Sequence, residues 1–468
     1  MWQSSAMAAA VSGGMTGRAD VGPRHQRAWY WYDWANSAYV TTTATVLFSP
    51  YLTSVAKKAA CPDQPTDLAC HTNLHVLGVP VAPGSLAPYT ITIATIISAF
   101  VLIYVGAIAD RSSRPTRLLG CFAWGGSAAA CLMFFVAGTA WQLGVVLLVV
   151  ANLCLGASLV VYDALLIRIA SPDDRDRVSS RGWALGYLGG GLLLALNLVL
   201  LTAYDSFGIG YGTAIRISLL SAGAWWAVFT LIPVLGLRDV TGTTAPPVDR
   251  AAGVVGGSIR QLVATFRDLR HFPHTLTFLL AYLFFNDGIQ TVIGSSSLYG
   301  KEQLGFSDSQ LIITILLVQF VAFGGALLFG RLAGRFGAWR VVLGSLGVWV
   351  VVVALAFFVP SGAFTVWLAL AVLIGIVLGG SQALSRSLYS QLVPQGRETE
   401  YFSLYQAMER GTSWFGTLLF GLVYQFAHSY RLSIVALVVF FVLGAFLLSR
   451  VDMRQGIRDA GNELPAVV

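Results

Sequence analysis

The chain has 468 residues, of which 56% are hydrophobic and only 11% are charged, and its formal net charge is +7. A soluble domain carries about a quarter charged residues, so this deficit excludes an ordinary soluble enzyme and indicates lipid as the solvent. The positive balance does not indicate nucleic acid as a partner. The arginines lie in short loops between long apolar runs, which is the pattern of membrane orientation.

The chain begins with a segment that is rich in Ala, Gly and Ser. It has no apolar core followed by a cleavage site, so it does not read as a signal peptide. Its composition predicts a disordered cytoplasmic tail over residues 1–28.

Twelve apolar runs follow, and each is long enough to cross about 30 Å of hydrocarbon as a helix, which takes roughly 20 residues. The runs are 32–56, 88–109, 117–138, 141–163, 183–204, 214–236, 274–294, 310–331, 339–360, 363–385, 402–425 and 430–450. They are continuous and too long for the strands of a membrane barrel. The eleventh run is the weakest, because Glu409 and Arg410 interrupt it. The sequence therefore predicts an all-α integral membrane protein with twelve transmembrane helices.

Basic residues give the orientation of these helices. Arginines are concentrated in both tails and in the loops that follow the even-numbered runs, whereas the opposite side carries few. Because Arg and Lys are enriched on the cytoplasmic side of membrane proteins, both termini are predicted to be cytoplasmic.

The longest cytoplasmic loop lies between the sixth and seventh runs, at residues 237–273. Apolar residues recur within it at helical spacing among arginines, which predicts either a basic amphipathic helix on the inner leaflet or a solvated linker helix. These apolar residues are Ile259, Leu262, Val263, Phe266 and Leu269. The loop separates a six-helix lobe at 29–236 from a second at 274–450, and a cytoplasmic tail follows at 451–468.

The five cysteines show no metal-binding spacing. Cys61 and Cys70 share a loop predicted to lie outside, where a disulfide can persist. The sequence leaves open whether they are paired.

The two halves share a loop sequence. Residues 106–117 after the second run and 330–340 after the eighth both fit G-x-x-x-(D/G)-R-x-(G/S) followed by arginine. This repeated loop resembles the signature loop of the major facilitator superfamily. The resemblance implies two six-helix lobes with the substrate site between them. It assigns gating roles to the loop residues Gly106, Asp110, Arg111, Arg114, Gly330 and Arg335.

Three further segments narrow the resemblance. Residues 29–39 read WYWYDWANSAY, residues 284–291 read FFNDGIQT, and residues 379–389 read GGSQALSRSLY. Together they resemble the branch that contains the autophagy-related vacuolar amino-acid effluxers of fungi and their bacterial relatives, over about 29–450. The resemblance implies a transport role with neutral amino acids as cargo. Arg410 fits the family pattern, whereas Glu409 departs from the small residue usual there.

Asp287 lies about 14 residues into the seventh run, near the middle of the membrane. A carboxylate is costly there, so a functional role is expected. Burial favours the neutral form of a carboxyl group, which suits a proton-coupling residue. The alternative is a structural ion pair with Arg410.

Glu409 and Arg410 are neighbours in sequence, so on a helix they point about 100° apart. We expect one to face the cavity and the other a neighbouring helix. Arg410 suits a substrate carboxylate because its planar fork binds two oxygens, and Glu409 is a second candidate for proton coupling.

Intramembrane amides either bind substrate or join helices to one another. Those predicted to bind substrate, together with Asp287 and Arg410, are Asn36, Asn286, Gln290 and Gln382.

Two more carboxylates are candidates for an inner gate. Asp33 lies among Trp29, Trp31 and Trp34, so it is either a gate or a helix N-cap beside an interfacial tryptophan belt. Asp163 is predicted to pair with Arg168 or Arg111.

The chain carries no hydrolase motif and no phosphate-binding glycine loop with lysine, so we expect neither an enzyme nor a cofactor or metal. The expected function is proton-linked export of a neutral amino acid or similar zwitterion by a monomer in a bacterial plasma membrane. Two alternatives stay open: a drug or lipid effluxer of the same fold, and a transport-inactive scaffold or receptor.

Overall fold

The computed structural model describes residues 22–63, 70, 72–76, 78–110, 112–241, 267–411 and 414–468. Three predictions fall wholly or largely outside these residues: the N-terminal tail up to residue 21, Arg111, and the amphipathic helix of the linker up to residue 266.

The first half of the described chain is helical apart from one small hairpin. Its α-helices are α1 (Pro23–Ala38), α2 (Phe48–Ala60), α3 (Leu86–Asp110), α4 (Pro115–Leu132), α5 (Trp141–Ile169), α6 (Arg175–Thr202) and α7 (Tyr211–Gly236). A π-helix, Tyr39–Leu47, joins α1 to α2. Short 3₁₀ turns occupy Pro83–Ser85, Met133–Phe135, Pro172–Asp174 and Tyr204–Phe207.

The second half repeats this pattern. Its α-helices are α8 (Pro273–Leu298), α9 (Asp308–Phe336), α10 (Ala338–Phe358), α11 (Phe364–Gln391), α12 (Glu398–Gly411), α13 (Trp414–Ala427), α14 (Tyr430–Ala436), α15 (Val438–Ser449) and α16 (Met453–Asp459). A second π-helix, Tyr299–Gln303, extends α8.

The helix α1 begins at Pro23, so residues 23–28, which were predicted to belong to a disordered tail, are helical. Proline at the first helical position starts a helix well, since its fixed φ is already helical and its missing N–H would have no helical partner. Trp29 is fully buried in α1, so it does not belong to an interfacial belt.

Ten helical segments in the described part of the chain are long and apolar enough to cross a membrane. The two predicted runs that are not among them are the first, at 32–56, and the eleventh, at 402–425. The first is continuous through the π-helix but rich in polar and aromatic residues, and the eleventh is described only as α12 up to Gly411 and α13 from Trp414. Twelve spans therefore stay a prediction.

Each lobe has its own hydrophobic core, one centred on Trp29, Tyr162 and Trp226 and the other on Tyr282, Trp349 and Tyr389. Large apolar side chains such as Phe100, Phe358 and Phe426 are exposed on the outer faces. Such apolar outer faces are suited to contact with lipid.

The loop between α2 and α3 contains a two-stranded antiparallel sheet, β1 (Leu74–Val76) and β2 (Val79–Val81), with Leu74 opposite Val81. Cys61 and Cys70 form a disulfide in the same loop. The pairing that the sequence left open is therefore present in the structure.

The chain after residue 450 folds against the second lobe. Met453 and Ile457 of α16 are buried, and the Asn462 amide donates hydrogen bonds to the carbonyls of Gln391 and Val393 at 2.9 and 2.8 Å.

Candidate functional site

A cavity of about 360 Å³ lies between the two lobes. The first lobe lines it with α1, its π-helix, α5 and α6, and the second with α8, α9, α11 and α12. Its charged lining residues are Asp33, Asp163, Arg386, Glu409 and Arg410. Most of the remaining wall is apolar or aromatic, so few polar groups are available to orient a solute.

Arg386 of α11 joins the lobes at one end of this cavity. Its guanidinium donates to Asp33 Oδ2 at 3.1 Å and to Asp163 Oδ1 at 3.2 Å, and its Nε donates to Ser179 Oγ at 3.0 Å. All four side chains are buried. We call them the Arg386 cluster. Because one arginine faces two carboxylates of the other lobe, the cluster closes this end of the cavity.

Aromatic rings support the cluster. Trp29 stacks on Tyr162 with ring centroids 4.3 Å apart, and the Arg386 guanidinium lies 4.7 Å from the Trp29 ring. The Tyr162 hydroxyl donates to Asp33 Oδ2 at 2.7 Å. Cation–π contacts and the extra hydrogen bond offset the cost of removing these charges from water.

The structure contradicts two predictions about the gate carboxylates. Asp33 is not an N-cap, because it lies deep inside α1, which begins at Pro23. Asp163 pairs with Arg386, whereas Arg168 lies 3.6 Å from Glu398 and donates to the carbonyl of Thr241. The sequence did not predict Arg386 as the partner of Asp33 or of Asp163. Arg386 lies 223 residues from Asp163 along the chain.

Gln406 of α12 connects the Arg386 cluster to the middle of the cavity. Its amide donates to Asp163 Oδ2 at 2.8 Å and to Glu409 Oε2 at 3.1 Å. Glu409, Gln406, Asp163 and Arg386 thus form one continuous polar chain. A change in charge at Glu409 can therefore reach the contact between the lobes.

Glu409 and Arg410 both line the cavity, which corrects the expectation that only one would face it. They lie in the last turn of α12, just before Gly411, and their long side chains reach the same space despite the 100° between their directions. Arg410 Nε donates to Gln406 Oε1 at 3.3 Å. Within the described residues Arg410 forms no ion pair with Asp287.

Three of the four predicted amides also line the cavity: Asn36, Gln290 and Gln382. Gln382 Oε1 accepts a hydrogen bond from Tyr187 across the lobe boundary at 3.0 Å, and Asn36 donates to the carbonyl of Tyr32 at 2.6 Å. Farther from the Arg386 cluster, Gln319 donates to Thr41 Oγ1 at 2.6 Å, again between lobes.

Asn286 and Asp287 are not among the residues that line the cavity. The Asp287 carboxylate faces α13, where Oδ2 accepts the N–H of Gly416 at 2.8 Å. Asn286 donates to the carbonyl of Glu409 at 3.4 Å. The sequence placed Asp287 within the helix, whereas the side of the helix on which its carboxylate lies depends on tertiary packing.

The signature loops lie at the end of the lobes that the Arg386 cluster closes. Asp110 accepts the N–H groups of Thr399 and Glu400 at 2.8 and 2.7 Å, so a carboxylate of the first lobe caps α12 of the second. A Cβ at Gly106 would lie 2.6 Å from Ser403 Cβ, and one at Gly330 would lie 2.8 Å from Ser180 Cβ. Both glycines therefore permit close contact between lobes. Arg114 and Arg335 are exposed at these ends.

Two residues important to the geometry were not predicted as site residues, namely Arg386 and Gln406. Arg386 offered one signal, since an arginine near the end of an apolar run needs a partner. Gln406 offered none. Among the described residues no group of His, Cys, Asp and Glu side chains is arranged to hold a metal ion.

The fold is that of transporters of the major facilitator superfamily. The structure superposes on an outward-facing bacterial homologue of the iron transporter ferroportin with a TM-score of 0.63 and 15% identity, covering 92% of this chain and 100% of that one. The E. coli fucose:proton symporter FucP gives a TM-score of 0.61 with 14% identity, covering 91% of this chain and 98% of that one.

Residues 22–175 and 168–461 match the family model described as "Vacuole effluxer Atg22 like", and the chain belongs to this family. An uncharacterized MFS-type transporter, YxiO of Bacillus subtilis, is 28% identical over 94% of this chain and 98% of its own length. Autophagy-related protein 22-1 of Penicillium rubens is 26% identical over 84% of this chain and 80% of its own length. The protein is thus a membrane transporter and not an enzyme, as the sequence predicted.

Proposed function

We propose that this transporter exports a neutral amino acid or a similar zwitterion across a bacterial plasma membrane, as a monomer, in a proton-linked alternating-access cycle. The observation that carries the proposal is the pair Glu409 and Arg410 on the wall of the cavity between the lobes. A zwitterion bears one carboxylate and one ammonium group, and this wall offers one partner for each.

Arg410 is the proposed partner of the substrate carboxylate. Its side chain donates one long hydrogen bond, from Nε to Gln406 Oε1 at 3.3 Å. The guanidinium fork is thus not held by a carboxylate among the described residues. Asn36, Gln290 and Gln382 supply neutral hydrogen-bonding groups on the same cavity wall.

Glu409 is the proposed proton-coupling residue. It lines the cavity and is joined to Asp163 through Gln406, so a proton at Glu409 would alter the partner of Arg386. Protonation and substrate binding would thereby shift the balance between open and closed states of the end that the Arg386 cluster closes. Since this end carries the loops predicted to be cytoplasmic, the structure corresponds in the proposal to an outward-facing state.

The proposal is tested by binding, with purified protein and a panel of neutral amino acids. Thermal unfolding should shift upward with at least one amino acid, because a ligand that binds only the folded state stabilises it. Arg410→Gln should remove the shift, whereas Arg454→Gln, at an exposed position outside the cavity, should keep it. If apolar amines or lipids shift the thermal unfolding of wild type and amino acids do not, the drug or lipid effluxer is supported instead.

A further inference from the structure

The segment that follows α16 is fixed to the second lobe at the end of α11. We call this segment, residues 460–468, the strap. The Asn462 side-chain amide donates to the carbonyls of Gln391 and Val393 at 2.9 and 2.8 Å. Two hydrogen bonds from one amide to consecutive turns of the backbone give the strap a defined position on this lobe.

The strap also contacts the first lobe. The Ala466 N–H donates to Asp173 Oδ1 at 2.6 Å, and Asp173 lies in the turn Pro172–Asp174 between α5 and α6. Two residues farther along, the strap returns to the second lobe, because Val468 packs against its hydrophobic core and leaves no room for a Cβ at Gly337. The contact with the first lobe therefore lies between two contacts with the second.

The strap lies beside a contact that already joins the lobes. The Gln391 amide donates to the carbonyl of Pro172 at 2.8 Å, and Gln391 Oε1 accepts from Arg175 at 3.2 Å. Arg175 also donates to the carbonyl of Ser390 at 2.9 Å. The α5–α6 turn and the strap thus hold the end of α11 from two sides, on the same helix as Arg386.

Separation of the lobes at this end has to break the contact between Ala466 and Asp173. Alternating access is largely a rocking of one lobe against the other, so contacts within the second lobe can persist while those between lobes are lost. The strap lies on the surface, since Leu464 and Val467 are 41% and 42% exposed. It can therefore leave Asp173 without uncovering the core of either lobe.

We propose that the strap is a conformational latch, which keeps the end closed by the Arg386 cluster in its closed state until Ala466 leaves Asp173. One exposed hydrogen bond contributes modestly to stability, which suits a contact that is broken and formed again whenever this end opens and closes. The latch concerns the opening of the lobes and not the solute or the coupling ion, so it is independent of the proposed function.

Spin labels test the latch in purified protein, without any amino acid and at one pH. The labels are placed at exposed Ser113 of the first lobe and exposed Arg331 of the second, after replacement of the three free cysteines. Asp173→Ala should raise the ratio of long to short distances about fivefold over the parent protein, as loss of one hydrogen bond does. Deletion of residues 460–468 should raise the ratio at least as much.

Two variants of the same turn serve as controls. Asp174→Ala removes a carboxylate that accepts from Arg177 at 2.7 Å and from Ser171 at 3.2 Å in its own lobe, so the ratio of distances should stay at the parent value. Asp173→Asn keeps an oxygen that can accept the Ala466 N–H and should retain most of the closed population.

An unchanged ratio of distances in Asp173→Ala would overturn the proposal. An equal rise in Asp174→Ala would also overturn it, because the turn itself and not the strap would then set the closure. If the protein without residues 460–468 does not fold, Asp173→Ala decides alone, since Asp173 is exposed.

Discussion

Arg386 of the second lobe contacts two buried carboxylates of the first lobe. It holds Asp33 and Asp163 at 3.1 and 3.2 Å in a fully buried setting. Removal of one partner from a buried ion pair leaves uncompensated charge, which costs more than the pair itself contributes. Removal of Arg386 would leave two buried carboxylates without a cation.

Arg386→Met should therefore lower the free energy of unfolding by about 3 to 5 kcal/mol, because Asp33 and Asp163 stay buried without their cation. Thermal unfolding of the purified protein measures the change. Arg340→Met, at an exposed position, should be close to neutral. Equal stability of Arg386→Met and wild type would contradict a structural role for the cluster, and the triple variant with Asp33→Asn and Asp163→Asn should recover part of the loss.

At the residue scale, the sequence placed candidate polar side chains on helices but did not predict their partners. Asp33 and Asp163 were expected at a gate, but their common partner Arg386 comes from the other lobe, and such pairing depends on tertiary packing. The alternative considered for Asp287, an ion pair with Arg410, is not formed, and this too depends on tertiary packing. Position along a helix gives depth in the membrane, whereas the face that a side chain occupies depends on how the helix is rotated against its neighbours.

At the scale of elements, the ends of α3 and α9 decide how closely the lobes approach. Gly106 faces Ser403 and Gly330 faces Ser180 at distances that leave no room for a Cβ. Asp110 adds two hydrogen bonds to the start of α12 at the same end. The repeated loop motif predicted this location, although Arg114 and Arg335 are exposed there and Arg111 lies outside the described residues.

Gly106→Val should prevent this end from closing, since its side chain would collide with Ser403 and with the carbonyl of Thr399. The distance between spin labels at exposed Ser113 and Gln395 reports the opening, with the three free cysteines replaced beforehand. A longer mean distance is expected than in the parent protein. Gly344→Val, at a position open to its surroundings, should leave the distance unchanged, and no lengthening in Gly106→Val would refute the assignment.

The eleventh helix shows where prediction of elements reached its limit. The sequence marked it as weak because Glu409 and Arg410 interrupt its apolar run, and the structure places both residues in α12. The sequence did not predict that both residues face the cavity. The 3.6-residue period of a helix separates their directions and takes no account of side-chain length.

At the scale of the whole molecule, the two lobes and the cavity between them followed from long apolar runs and from one loop repeated in each half. Those signals are strong because hydrocarbon permits few alternatives to helices. The identity of the solute is harder to predict from the sequence, because it depends on a few polar groups whose positions only the assembled lobes define. The proposed function therefore depends on whether Glu409 and Arg410 act on one substrate.

The most direct measurement records charge movement by proteoliposomes on a solid-supported membrane, with neutral amino acids applied at several pH values. We expect pH-dependent currents in wild type and in Glu302→Gln, an exposed carboxylate outside the cavity. Glu409→Gln should lose the pH dependence because its proton site is gone, and Arg410→Gln should lose the current because the substrate carboxylate has no partner. Unchanged, pH-dependent currents in Glu409→Gln and Arg410→Gln would contradict the account.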